Sequence, residues 1–267
     1  MYEGKNVSVV IPAYNEEATI AEVVRDFRSS PFVDEVVVVD NNCRDRTAEE
    51  ARAAGARVVA ESRPGYGSAL RRGLDEARGD FLVLVEADGS FKAHDLPKFL
   101  AYLADAGMVI GTRTTRQLVH QGANMRSILR WGNVVVAKLM ELMWYVSNEP
   151  RLTDVGCTYR AIWREHWLRL REGLRETGPA FSPEMMAEAL RKRIRLIEIP
   201  VHYYARLGGE SKHSASYWKI SRTALKMLRA IFRKRLERPF TGPSIARLPE
   251  RPAGLTVGGP SGRKEAT

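Results

Sequence analysis

Glu86 and Asp88 stand at the end of the apolar run Phe81–Val85, spaced i, i+2 so that both carboxylates leave one side of an extended backbone. Oxygen donors so placed suit a hard divalent cation such as Mg²⁺ or Mn²⁺, which keeps coordination positions for phosphate oxygens. The chemistry this points to is a grip on a nucleotide diphosphate and help with its departure. An acidic pair after a strand is also a common solvated turn or helix cap, so its neighbours in the chain decide between the two readings.

Those neighbours alternate between strand and helix. Val7–Ile11 reads as a buried strand, followed by a helix with Ile20, Val23, Val24 and Phe27 at i, i+3, i+4, i+7. Glu35–Val39 is a second strand, a helix from Thr47 closes near Gly55, and Arg57–Ala60 is a third strand. Gly65-Tyr66-Gly67 opens a helix carrying Leu70, Leu74 and Ala77; Phe81–Val85 and Met108–Ile110 complete the strands of the first half. Apolar strands separated by helices predict an α/β fold with a mostly parallel sheet flanked by helices. Such sheets bind ligands beyond the strands' C-terminal ends, where this chain places Pro12–Asn15, Asp40–Asn42, Glu86–Asp88 and Gly111–Arg113. No Gly-x-Gly-x-x-Gly follows the first strand and there is no Walker loop, which argues against dinucleotide and P-loop readings.

The second half differs. Ile128–Val146 is rich in Val, Leu, Met and Trp but is interrupted by Arg130, Lys138 and Glu141, so it reads as a core or membrane-surface helix. Ile194–Ile199 reads as an edge strand stopped by Pro200. From Tyr217 to about Arg235 an amphipathic helix sets Lys219, Arg222, Lys226, Arg229 and Arg233 against Trp218, Ala224, Leu225, Leu228, Ile231 and Phe232. Residues 238–267, rich in Pro and Gly, read as a disordered tail.

The whole composition bounds the partners. The chain has 267 residues, 44% hydrophobic and 28% charged, enough for a sizeable core. A net charge of +10 calls for an anionic partner: nucleic acid, anionic membrane or a phosphate-bearing substrate. The basic residues form one helix stripe with no nucleic-acid motif, which disfavours nucleic acid. No apolar run approaches the ~18 residues of a membrane span, and residues 1–6 enter a strand without a signal-peptide core. Cys43 and Cys157 lack metal-ligand spacing, so a reduced, cytoplasmic protein is expected.

Several ordered blocks together resemble the inverting, family 2 glycosyltransferases of the dolichyl-phosphate mannose synthase and polyprenyl-phosphate glycosyltransferase type. The resemblance runs from about Val7 to His213. It rests on Val10–Glu17, on Asp40-Asn-Asn-Cys-Arg-Asp45-Arg-Thr47, and on Gly65–Ala69, Glu86–Ser90 and Gly111–Arg113. Thr153–Arg160, Phe181-x-x-Glu184 and Gly209–Lys212 complete it. It implies the GT-A fold, with residues 1–113 as the nucleotide-sugar half and 114–213 as the acceptor half of one domain. Residues 214–237 then form the basic helix and 238–267 the tail. Glu86 stands where Asp is usual in the family, and Asn41 replaces a common second acid of the nucleotide turn.

The resemblance also implies roles. Pro12, Tyr14, Glu16 and Asp40 surround the nucleoside of a UDP- or GDP-linked donor, together with Glu86 and Asp88. Asp88, Glu86 and Ser90 hold Mg²⁺ or Mn²⁺. Glu16 reads equally as a first-turn acid favoured by the helix dipole, and Asp45 as an N-cap rather than a ligand contact. Arg113, Arg126 and Arg206 match positions facing an acceptor phosphate, a task suited to a planar guanidinium. The loop with Arg206, Lys212 and His213 is placed to close over the donor. A lipid phosphate is already ionised at neutral pH and needs no general base. A hydroxyl acceptor needs one, and Asp154 is the candidate, with pairing to a nearby Arg as its other reading.

The expected activity is metal-dependent, inverting transfer of a sugar onto a polyprenyl phosphate by a protein peripheral to an anionic membrane. The basic helix contacts lipid directly or through a homo-oligomer, or else packs on its own domain. The alternatives are a transferase acting on a soluble or polymeric hydroxyl, and a non-catalytic nucleotide-binding subunit.

Overall fold

The computed structural model describes residues 1–123, 127–148, 150–208 and 217–237. Arg126, Lys212, His213 and the tail expected at 238–267 lie outside the described residues, as do the side chains of Trp218 and Lys219.

In chain order the elements are β1 (Val7–Ala13), α1 (Ile20–Ser29), β2 (Glu35–Asp40), α2 (Thr47–Ala53), β3 (Arg57–Ala60), α3 (Tyr66–Glu76) and β4 (Phe81–Leu84). They continue with α4 (Leu96–Leu103), β5 (Met108–Thr112), α5 (Ser127–Asn148), β6 (Arg160–Trp163) and α6 (Arg164–Leu170). The described chain ends with α7 (Phe181–Arg191), β7 (Leu196–Pro200) and α8 (Tyr217–Leu236).

The strands form one seven-stranded sheet in the order β3-β2-β1-β4-β6-β5-β7. Every pairing is parallel except those of β6, which runs antiparallel between β4 and β5. Because successive side chains on a strand point to opposite faces, the all-valine runs feed two cores. Val7, Val9, Ile11, Val36 and Val38 join α1 and α4 on one face. Val10, Val37, Val39, Leu82 and Leu84 join α3, α5 and α7 on the other. The periodic residues Ile20, Val23, Val24 and Phe27 are the buried stripe of α1, and β7 is the sheet's edge, with Pro200 as its last residue.

β6 begins with a charge that the core must absorb. Arg160 is 1% exposed and makes no ion pair among the described residues; it donates to the carbonyls of Cys157 (2.7 Å), Ser182 (2.7 Å) and Val155 (3.1 Å). One guanidinium thus ties the loop before β6 to the start of α7. Lysine keeps the charge but lacks the fork, so Arg160→Lys should lower stability by roughly 2 kcal/mol through carbonyls left without donors. The shift in urea midpoint measures it, and an unchanged midpoint would remove Arg160 from this account.

The C-terminal helix corrects the expectation that its cations line one outer stripe. Ile231 is buried as expected, but so are Ala230 and Lys234, while Leu225 (68% exposed) and Phe232 (46%) face outward. The cause lies on α7, whose Glu184 and Glu188 are fully buried and need counter-charge. Arg233 pairs with Glu184 and Glu176, and Lys234 with Glu188 and Glu237. Arg222, Lys226 and Arg229 remain exposed. On α5, Val136, Ala137, Met140 and Trp144 are buried, whereas Trp131, Val135, Leu142 and Tyr145 are exposed. Among the described residues, no helix is long and apolar enough to cross a membrane.

Candidate functional site

The chain winds outward from β1 to β2 and β3, then returns to β4 on the other side of β1. That reversal opens a crevice beyond the C-terminal ends of β1 and β4, the place where open α/β sheets take ligands. Pro12–Asn15 leaves one strand at this point and Glu86–Asp88 leaves the other.

One wall is made from the loops after β1 and β2, tied together across some thirty residues. Arg44 N–H donates to Asn15 Oδ1 (2.8 Å), Glu16 N–H to Thr47 Oγ1 (2.8 Å) and Arg46 N–H to the Glu17 carboxylate (3.0 Å). Asp40 Oδ1 accepts from Cys43 N–H at 2.9 Å, which orients its carboxylate at the strand end. Tyr14 is 46% exposed beside it. Asn41 is buried and structural: its amide donates to the Glu61 and Arg63 carbonyls and accepts from Gly65 N–H. Asp45 accepts from Thr47 N–H and Oγ1 and from Glu17 N–H. It does so one residue ahead of the helix's N-cap position, which Arg46 occupies without a capping bond.

The acidic pair lies at the crevice floor. Asp88, 4% exposed, accepts from Ser90 N–H (3.0 Å) and Ser90 Oγ (2.6 Å) through Oδ1. Glu86 accepts from Thr158 Oγ1 at 2.7 Å, and Thr158 in turn accepts from the Tyr66 hydroxyl. Tyr66 reaches that point because Gly65 (φ +130°) and Gly67 press against the backbone of 176–177, where a Cβ would sit 2.4 Å and 2.7 Å from carbonyl oxygens. Arg206 closes the pair from above, its Nε 3.1 Å from Asp88 Oδ2 and an outer nitrogen 4.0 Å from Glu86 Oε2. The Nε contact lacks hydrogen-bond alignment, so Arg206 sits over the carboxylates as a charge rather than as a directed donor.

Burial and then the Asp88 charge push the Glu86 carboxyl up to about 7, against the opposing pull of Arg113, Thr158 and Arg206. A carboxyl that holds its proton more tightly folded than unfolded contributes stability at low pH that is lost as pH rises from the ordinary value toward 7. Glu86→Gln keeps the acceptor for Thr158 and removes that loss. It should therefore match the parent near pH 4 and exceed it by about 2 kcal/mol at pH 8. Melting temperatures across that range check this; an equal difference at both ends would reject it.

Arg113 emerges from β5 into a second buried pair. Its Nε and an outer nitrogen meet Asp154 Oδ2 (2.8 Å) and Oδ1 (3.0 Å), and its N–H adds a third bond to Oδ2 (3.1 Å). Asp154 also accepts from Gly156 N–H at 3.0 Å. Burial alone would raise the Asp154 carboxyl, but the charge and hydrogen bonds of Arg113 outweigh it and hold the carboxyl below the usual range. Glu198 fixes the segment from behind, accepting from the N–H groups of Thr153 and Asp154, each at 2.9 Å. The guanidinium carbon of Arg113 lies over the Tyr203 ring, 5.3 Å from its centre.

The arginines expected together thus divide. Arg206 sits on the acidic pair and Arg113 is clamped by Asp154. Tyr66, Thr158 and Glu198 escaped the sequence reading. Tyr66 and Thr158 lie inside motifs that it did single out, Gly65–Ala69 and Thr153–Arg160.

A family model described as "Glycosyl transferase family 2" matches residues 8–165. An uncharacterised glycosyltransferase of Mycobacterium tuberculosis is 34% identical over 229 residues, 81% of this chain and 98% of that protein. An undecaprenyl-phosphate 4-deoxy-4-formamido-L-arabinose transferase of Pseudomonas paraeruginosa is 31% identical over 223 residues, covering 78% of this chain and 60% of that protein. Among solved structures, glucosyl-3-phosphoglycerate synthase of Mycobacterium tuberculosis, in complex with Mn²⁺, UDP and phosphoglyceric acid, superposes with a TM-score of 0.67 at 21% identity. It covers 90% of this chain and 81% of that one.

Proposed function

The chain belongs to glycosyl transferase family 2 and is a transferase, and from that premise we propose that it moves a sugar, with inversion, from a nucleotide diphosphate onto a polyprenyl phosphate at a membrane surface. The observation that carries the reading is the Glu86–Asp88 pair at the β1/β4 crevice, Asp88 buried and Glu86 half-buried, with Arg206 seated on it. Two acidic oxygen ligands that already draw a cation fit a hard divalent metal, Mg²⁺ or Mn²⁺, and Ser90 is hydrogen-bonded beside them. When bound, such a metal neutralises charge on the departing nucleotide diphosphate. Pro12, Tyr14, Glu16 and Asp40 form the nucleoside side of the donor pocket, in the half spanning 1–113. Residues 114–213 supply the acceptor side.

The state of Asp154 favours a phosphate acceptor over a hydroxyl. A carboxylate held in a bidentate pair, with its proton affinity lowered, makes a poor general base. Its work is to hold Arg113 in one orientation for an acceptor phosphate that needs no deprotonation. The undecaprenyl-phosphate transferase among the relatives supports the same acceptor class. Exposed Trp131, Val135 and Leu142 on α5, with exposed Arg222, Lys226 and Arg229 on α8, support peripheral contact with anionic lipid from the cytoplasmic side.

Nucleotide release from UDP- and GDP-sugars, with Mg²⁺ or Mn²⁺ and with or without a short polyprenyl phosphate, tests the proposal. Release that requires both metal and lipid phosphate is expected. Release only with a hydroxyl acceptor would overturn the acceptor assignment. Silence from the folded protein across the panel would favour a non-catalytic subunit.

A further inference from the structure

Three of the chain's five histidines, His94, His120 and His202, gather on one side of the segment that carries Arg206. His202 Nδ1 lies 3.0 Å from Asp95 Oδ1 and 3.0 Å from His94 Nε2, and His94 Nε2 lies 3.5 Å from the same Asp95 oxygen. Three lone-pair atoms converge on one point, and neutral imidazoles cannot satisfy all three contacts. If His202 Nδ1 carries its proton, it donates to Asp95 or to His94 but does not bond both well. If it does not, its lone pair faces a carboxylate. A single cation at the centre resolves the conflict. Tetrahedral ligands at about 2.0–2.1 Å from zinc stand roughly 3.3–3.4 Å apart, close to the spacing found here.

The carboxylate is prepared for this task. Asp95 is fully buried and occupies the N-cap position of α4, yet it gives no capping bond. Its other oxygen accepts from His202 N–H at 2.7 Å, which orients Oδ1, as outer hydrogen bonds do for ligating carboxylates. His120 stacks on Tyr204 at 4.0 Å, with His202 5.8 Å from His120, so the rings are held by their neighbours. The competing cation is Lys98, whose ammonium lies 2.5 Å from Asp95 Oδ1; that side chain is 41% exposed and can withdraw into water.

We propose that His94 Nε2, Asp95 Oδ1 and His202 Nδ1 bind a divalent transition metal of the zinc class, leaving a fourth position to water. The two-imidazole, one-carboxylate set selects Zn²⁺ or Co²⁺ over Mg²⁺, whereas Glu86 and Asp88 offer oxygen alone. Bound there, the metal would rivet residues 202–207 to the turn at 88–95. Those segments are already joined by Tyr204 N–H to the Ser90 carbonyl and Leu207 N–H to the Asp88 carbonyl, both at 3.0 Å. The proposal does not depend on the sugar-transfer reading.

Titration of the full chain with Co²⁺ in excess Mg²⁺ tests it, read by visible absorption, with His94→Ala, His202→Ala and Asp88→Asn alongside. One Co²⁺ per chain with tetrahedral bands, displaced by Zn²⁺, is expected. Affinity should fall at least tenfold in both histidine variants and hold in Asp88→Asn. Bands unchanged in the histidine variants, bands lost with Asp88→Asn, or no uptake from micromolar Co²⁺ or Zn²⁺ would each overturn the assignment. Circular dichroism of the two variants separates lost binding from lost folding.

Discussion

Asp88→Asn should lower metal-supported nucleotide release at least a hundredfold while leaving the melting temperature equal or higher. The substitution is nearly isosteric, and an asparagine oxygen still accepts from the Ser90 N–H and hydroxyl groups that orient Asp88. What disappears is one of two negative charges on a close carboxyl pair whose repulsion helps push Glu86 up to about 7. Relieving that repulsion favours the fold, as removing one of two crowded like charges does. The cost falls on cation binding and on charge stabilisation as the nucleotide leaves, where losing one preorganised group costs about 10²–10³ in rate. Parallel measurement of turnover and Mn²⁺ affinity checks both halves. Near-normal turnover would remove Asp88 from the metal site, and turnover lost with stability would mark it as structural.

Asp154→Ala is expected to act in the opposite way, on the fold first. It strands the Arg113 guanidinium, whose side chain is 11% exposed, and takes the acceptor from the Arg113 and Gly156 N–H groups. Leaving one member of a buried ion pair uncompensated costs about 3–5 kcal/mol. A double-mutant cycle with Arg113→Leu isolates the pair. The double variant should be less destabilised than the sum of the singles by about 2 kcal/mol, because the orphaned charge leaves with its partner. A general base would behave otherwise: Asp154→Ala would lose turnover at unchanged denaturation midpoint, with additive singles.

The sequence made the crevice legible because its two sides are local. Apolar runs ending in Asn15, Asp40 and Asp88 announce strand, strand end and polar edge within a few residues each. The partnerships across the site are not local. Arg113 and Asp154 are 41 residues apart, and Thr158 and Glu86 are 72 apart. Both depend on β6, a four-residue strand that starts with arginine and enters between β4 and β5 in the reverse direction. So short a segment has too little periodicity to reveal direction or neighbours. The faces of α8 were misjudged for a related reason. Helical spacing separates basic from apolar positions, but the buried demand of Glu184 and Glu188 turned Arg233 and Lys234 inward. That demand is set by another helix.

The pairing of α7 with α8 also sets an order of events on the ribosome. Glu184 is made 49 residues before Arg233, so α7 leaves the tunnel with Glu188 already paired to Arg191 and Lys192 but with Glu184 still waiting for its counter-charge. The sheet's first strands can pair while synthesis continues, since domains begin to fold from the N-terminal side. The helix layer over α7 must wait for the last turns of α8. A chain truncated before residue 233 would expose that layer to proteases and chaperones, whereas one released with Arg233 and Lys234 in place would not.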